Sequence, residues 1–361
     1  SIFFNGSNGR TSVSINSTEE NLMATLALMT DMIKNPSFNK EEFDKLKAED
    51  LANLEANKND PQYLVSNKIR RINQKYQKGH PLYVESLEEN AASIAKLTIN
   101  DLKKYHQDFY GISNSASLVA IGDLDETKLK QFFQTEFKNF TSTKTYTAIP
   151  NAFTENKGTS ESIITPDKKN AFTLGVLSAN ISQDDKEFAA LEMAGTIFGG
   201  GFLNSRIANR LRQKDGVSYG AGGMVSVDGN KDDKNSTIYV YAIYAPQNAA
   251  KVQLGFKEEI ALFLKDGITQ EELDSAIKGW VQAENVSRAK DAELSSVIND
   301  NMYYNRDLNF QKNIEENVKK LTVDDVNKVI KKYFKNIDDW SFVNGGDFKN
   351  EINANETKKI D

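Results

Sequence analysis

Apolar residues recur at helical spacing through residues 18–34, 40–58, 61–77, 98–109 and 125–137, so each segment is expected to form a helix with one buried stripe. Short apolar runs near 10–15 and at 116–121 read as strands between them. Dispersed Thr, Ser, Asn and Gly at 141–160 then break the pattern. Strands follow at IITPD, AFTLGVL, 217–226 and TIYVYAIYA (237–245), the last alternating strictly between faces. Helices are expected around 184–198, 247–265 and 268–288. The pattern predicts an α+β chain with a first domain at 1–140, a linker at 141–160 and a second domain at 161–361. Each domain is expected to be an antiparallel sheet with helices packed on one face. The polar tail NANETKKID is expected to fray.

The chain also repeats itself. LTINDLKKYHQDFYGISNSASLVAIGDLD (97–125) is echoed by LTVDDVNKVIKKYFKNIDDWSFVNGGDFK (321–349), aligning Leu97 with Leu321 and Asp123 with Asp347. Each copy opens on a threonine followed three residues later by an aspartate, Thr98/Asp101 and Thr322/Asp325, the start of a capping box. Each then reaches a short apolar strand, SLVAI or WSFVN, and closes on Gly-Asp. Upstream, 38–58 resembles 268–288, and 18–34 roughly matches 247–265. Residues 160 to about 247 have almost no counterpart in the first copy, whose opening SIFFNGSNGRTSVSI corresponds to TIYVYAIYA. The first domain is therefore expected to be truncated at its N-terminus, with the remainder supplied by another chain or by upstream sequence.

Composition narrows the function classes. With 361 residues, 39% hydrophobic and 27% charged, the chain is long enough for two cores. A net charge of −6 with the signs mixed offers no basic stripe for nucleic acid. No apolar run approaches the length of a membrane span. The absence of cysteine removes disulfides, thiol catalysis and Cys-based zinc sites. It does not fix the compartment, because many exported bacterial proteins also lack cysteine.

Little in the chain suggests a catalytic centre of its own. Its two histidines, His80 and His106, lie far apart and form neither HxxEH nor HExxH. FGGGF lacks the lysine and Ser/Thr of a P-loop. What stands out is GGGFLNSRIANRLRQKDGVSYGAGG (199–223). The glycines are expected to end the preceding helix by adopting positive φ. Asn204 or Ser205 can cap the next helix, which carries Arg206, Arg210 and Arg212 and stops at Gly216. Tyr219 then starts a strand. Arg212 and Tyr219 can converge on one side of this corner and hydrogen-bond a peptide carbonyl. The same residues also fit a purely structural corner, a basic helix end answering its own dipole with a tyrosine packed on the sheet.

On GGGFLNSRIANRLRQKDGVSY and the following IYAPQN (243–248), the chain resembles the pitrilysin/insulinase-like zinc peptidases of family M16. The starts FNKEEFDKLK and GITQEELDSA and the two Gly-Asp strand ends also fit, so the resemblance covers nearly the whole chain. It implies units of two homologous α+β domains, two units closing like a clamshell around peptides. In the second domain of the non-catalytic unit, an arginine and a tyrosine hold substrate beside a zinc ion in the opposing unit. By motif these are Arg212 and Tyr219. The zinc motif His-x-x-Glu-His is absent, so the resemblance implies no catalytic residue and no metal in this chain. Zinc is expected in a catalytic partner unit, from the same parent chain or a separate subunit. The family's third zinc ligand is a glutamate on the helix matching 40–58. Glu55 is its nearest match, with Glu49 close by, and Glu55 is read as structural, at most a vestigial ligand position.

The implied function is a non-catalytic, substrate-binding half of a peptide-degrading or peptide-processing peptidase. The alternative is a purely structural scaffold, as in respiratory-complex core subunits; a third possibility is a parent whose upstream part keeps an intact zinc motif. The strand order resembles the C-terminal half of long bacterial members. A bacterial periplasm or cell envelope is favoured over the cytoplasm.

Overall fold

The computed structural model describes residues 1–7, 9–112 and 116–348, so the polar tail falls outside the described residues. The first half opens with an antiparallel hairpin, β1 (Ile2–Ser7) and β2 (Arg10–Ile15). Six helices follow: α1 (Glu19–Lys34), α2 (Lys40–Asn57), α3 (Pro61–Ile72), α4 (Leu87–Lys96), α5 (Ile99–Phe109) and α6 (Glu126–Phe137). The second half begins with β3 (Thr159–Ile164), β4 (Ala171–Asn180), α7 (Phe188–Gly195), α8 (Arg206–Ala208), β5 (Ser218–Ser226) and β6 (Asn235–Tyr244). It closes with α9 (Ala249–Asp266), α10 (Gln270–Arg288), α11 (Asp291–Tyr303), α12 (Asn309–Lys319), α13 (Val323–Tyr333) and β7 (Ser341–Gly346). β1, α4, α11 and α12 add to the elements the pattern predicts. No helix among the described residues is long and apolar enough to cross a membrane.

The second half is built on a five-stranded sheet in the order β3-β7-β4-β6-β5, antiparallel except for the β3–β7 pair. The alternation read in β6 holds. Ile238, Val240, Ala242 and Tyr244 enter the main core, while Tyr239, Tyr241 and Ile243 face the other way. α7, α9, α10 and α13 cover the inner face, and in their core Phe198, Phe263 and Phe334 meet ring to ring. α3, from the first half, lies on the opposite face, where Val65 and Ile69 pack against Phe172 and Val343.

The repeat is visible at the helix starts. Thr98 and Asp101 form a complete capping box on α5, and Thr322 and Asp325 form the same box on α13. Beyond that the copies part. Val326, Val329 and Tyr333 on α13 are at most 7% exposed, whereas the matching Leu102, Tyr105 and Phe109 on α5 are 39% to 55% exposed. In the second half α7 packs on α13; the first half contains no helix in that place among the described residues. The strand expected at 116–121 does not form either. Its counterpart β7 is held between β3 and β4. The described strands of the first half, β1 and β2, pair only with each other, which leaves Ser117–Ile121 without a ladder.

α7 sinks almost every residue into the core, and Glu192 is its one charged side chain. Burial, reinforced by the charge of Glu284, pushes this carboxyl up to about 7, against the hydrogen bond donated by Trp280. The folded state thus holds the Glu192 proton more tightly than the unfolded chain, whose ordinary value is 4.5. This contribution is fully present below about pH 4.5 and is lost as the pH rises through 7. Glu192→Gln should match the parent near pH 4 and exceed it by about 3 kcal/mol at pH 8.5. Urea titrations at the two pH values check this; an equal difference at both would refute it.

Candidate functional site

The corner at 199–223 begins where α7 widens into a π-helical turn, Thr196–Gly200. This turn lies against β5, an edge strand of the sheet. A Cβ at Gly199 would sit 2.4 Å from the Gly223 amide nitrogen, so backbone meets backbone. Close approach, not left-handed geometry, explains this glycine, and Gly201 has φ −75. The expectation that these glycines end the helix by positive φ is therefore corrected. Ser205 caps α8, accepting from the Ala208 amide at 3.4 Å. α8 then passes into a second π-helical stretch, Asn209–Lys214.

Gly216 stops that helix as the sequence requires. Its φ is +62, and the Val217 amide reaches back to the Leu211 carbonyl at 3.0 Å. β5 starts at once, and its ladder slips. Ser218 lies opposite Tyr244 and Gly220 opposite Ile243, which leaves Tyr219 as the extra residue of a bulge. The expectation that the chain holds no Gly-x-Ser-x-Gly elbow needs one correction, since Gly216-Val-Ser-Tyr-Gly220 spells that string, although it forms no elbow. It runs from helix to strand, the reverse of a nucleophile elbow, and the buried Ser218 hydroxyl lies 2.8 Å from the Gly220 and Ile243 carbonyls. Ser218 therefore serves the backbone.

The three arginines of the corner have different fates. Arg206 is locked in a fork on Glu272 at 2.7 and 2.8 Å, donates to the Gly267 carbonyl and lies over the Phe263 ring. Arg210 donates to Asp215 at 2.7 Å and to Glu258 at 2.5 Å. The Asp215 contact, above all, raises its pKa further. Arg212 is exposed and has no hydrogen-bond or ion-pair partner among the described residues. Tyr219 is 66% exposed, and its hydroxyl is likewise without a partner among them. The fold thus spends two cations on itself and leaves a guanidinium and a phenol free on either side of the Gly216 turn. A guanidinium and a phenol can each donate to a peptide carbonyl.

The described residues do not fit a zinc ion. Glu55 lies on the exposed side of α2 and pairs with Lys58, and Glu49 is exposed on the same helix. His80 stacks on Tyr76, and its Nδ1 accepts from the Leu82 amide. The His106 Nε2 lies 2.7 Å from the Ile33 carbonyl, beside Tyr110 and Phe38. No three His, Asp or Glu side chains among the described residues come together to hold a metal.

Comparison with known proteins adds four findings. Residues 96–279 match the sequence profile of the peptidase M16 inactive domain. The chain is 22% identical over 347 residues to a Helicobacter pylori protein named non-peptidase homolog YmxG, spanning 92% of this chain and 76% of that protein. Its fold matches an M16 inactive domain from Pseudomonas fluorescens, with TM-score 0.79 and 22% identity over 96% of this chain and 80% of that one. It also matches the periplasmic protease PqqL from Escherichia coli, with TM-score 0.70 and 14% identity over 96% of this chain and 37% of that one.

The Gly216 geometry makes a direct prediction. A Cβ there would meet nothing within 4 Å, so the left-handed conformation sets the cost. Gly216→Val should lose about 1–3 kcal/mol, and Gly216→Asn clearly less, because asparagine tolerates left-handed backbone. Denaturant midpoints check this, and equal losses for the two variants would contradict it.

Proposed function

The chain belongs to the peptidase M16 inactive-domain family, and from that premise we propose that it is the substrate-binding half of a two-unit zinc peptidase. The non-catalytic M16-like role follows from the family match. In the proposal, a catalytic M16 unit supplies the zinc centre and the bond cleavage, and this chain supplies part of the chamber wall. Arg212 and Tyr219 hold the peptide backbone at the corner where helix meets β5. Fixing the substrate there removes orientational freedom before reaction, which is how contacts remote from the reacting bond raise its rate. The observation that carries the proposal is the contrast within one corner. Arg206 and Arg210 are saturated by carboxylates, whereas Arg212 and Tyr219 are left free.

A structural scaffold is the second reading, favoured by the open apolar face of α5, which suits a subunit built into a larger assembly. The two readings diverge in a reconstituted enzyme. Arg212→Ala should lower kcat/KM about tenfold to a hundredfold, as expected for a hydrogen bond to a charged group of about 1.5–3 kcal/mol. Tyr219→Phe, losing a neutral bond of about 1 kcal/mol, should cost about fivefold. Zinc content and thermal midpoint should stay at parental values in both. Parental kinetics in both variants would leave the scaffold.

A further inference from the structure

We propose that a peptide held at the Arg212–Tyr219 corner seats a large apolar or aromatic side chain in the groove between α3 and the outer face of the second sheet. The inference rests on the reading of Arg212 and Tyr219 as peptide-holding residues. The groove has a volume of about 280 Å³ and is lined by Gln62 and Ser66 of α3 with Phe172 and Leu174 of β4 and Tyr239, Tyr241 and Ile243 of β6. It exists because α3 covers the outer face over β4 and β7 and leaves the β6 side chains half-exposed. Its wall carries no charged side chain. The amide of Gln62 and the hydroxyls of Ser66, Tyr239 and Tyr241 are its polar groups, the Tyr239 hydroxyl donating to the Met224 sulfur. That lining favours Phe, Tyr, Leu or Met over a charged residue.

Groove and corner are neighbours on the sheet. Ile243 lies opposite Gly220, the residue after Tyr219, and Tyr241 lies opposite Gly222. β5 presents open backbone at Gly220, where a Cβ would meet nothing within 4 Å. Gly222 is buried, and a Cβ there would stand 3.1 Å from the Gly199 carbonyl oxygen and 3.4 Å from the Tyr241 ring. An extended chain leaving the corner can cross β5 at Gly220 without meeting a side chain of that residue. Two strand spacings of about 4.8 Å put the groove roughly 10 Å from the corner, about three residues of extended peptide. The bulge turns Tyr219 out of the ladder at the head of that path.

The test is fluorescence polarisation on the purified full chain, with a labelled Ser/Ala decapeptide and its relatives carrying one Phe at each position in turn. Phe at one position should strengthen binding about tenfold. Gln62→Trp, which fills the groove from the exposed side of α3, should abolish that gain and leave the Ser/Ala peptide unchanged; Ser66→Phe serves the same purpose where Gln62→Trp fails to fold. Arg212→Ala should weaken both peptides by a similar factor. Equal affinity for all peptides, each still weakened by Arg212→Ala, overturns the groove and leaves the corner standing. A Phe gain that survives both filling variants also overturns the groove. A Phe gain indifferent to Arg212→Ala and Tyr219→Phe overturns the corner and, with it, the path from corner to groove. Absence of binding by every peptide overturns both.

Discussion

The meeting of Phe198, Phe263 and Phe334 is the contact from which the second half takes its geometry. Their centroids lie 4.7 to 5.2 Å apart, in tilted and edge-to-face arrangements that aromatic quadrupoles prefer. Phe198 is the residue before the glycine run, Phe263 lies near the end of α9, and Phe334 follows α13. Three elements distant in sequence are thereby fixed at one point. With Phe198 anchored, Gly199 has only one place to go, against the backbone of β5. Arg206 lies over Phe263 and ties the next helix to the same point. The exposed corner is rooted in the buried core of the second half.

Much of this was legible in sequence, and the limits have physical reasons. The capping boxes at Thr98 and Thr322 were legible because a cap involves residues three apart. The alternation of β6 and the stop at Gly216 are equally local. The singling out of Arg212 and Tyr219 came from the family motif, and the fold adds the contrast with Arg206 and Arg210, whose partners Glu272 and Glu258 lie far along the chain. The failed strand at 116–121 teaches the converse. Its sequence is as strand-like as that of β7, but a strand exists only through its neighbours. The glycines at 199–201 misled because glycine serves two needs, left-handed backbone and close approach, and only the partner strand tells which. Nothing in the composition announced that α3 crosses to the far face of the second sheet.

The two halves are joined unequally. α3 makes an apolar joint with β4 and β7. Elsewhere the contacts are polar and partly exposed: Arg10 with Asp300 at 3.1 Å and over the Tyr303 ring, Tyr146 with Tyr303, and Ser117 with Asn299. Exposed pairs of this kind contribute about 0–1 kcal/mol each. Stability between the halves is therefore concentrated in one helix, and that helix also forms one wall of the groove. Anything that shifts α3 changes the joint and the groove together.

β7 is the latest strand in sequence, yet it occupies an interior position, between β3 and β4. Until residues 341–346 have been synthesised, β3 has no ladder partner and β4 has a bare edge where β7 will lie. A chain growing from the ribosome thus carries the second half as an open sheet until β7 has emerged, with its apolar faces and strand edges exposed. The fold closes by inserting a late strand into a waiting slot. The pairing of β3 and β4 with this distant strand places closure of the sheet among the slow, long-range steps of folding.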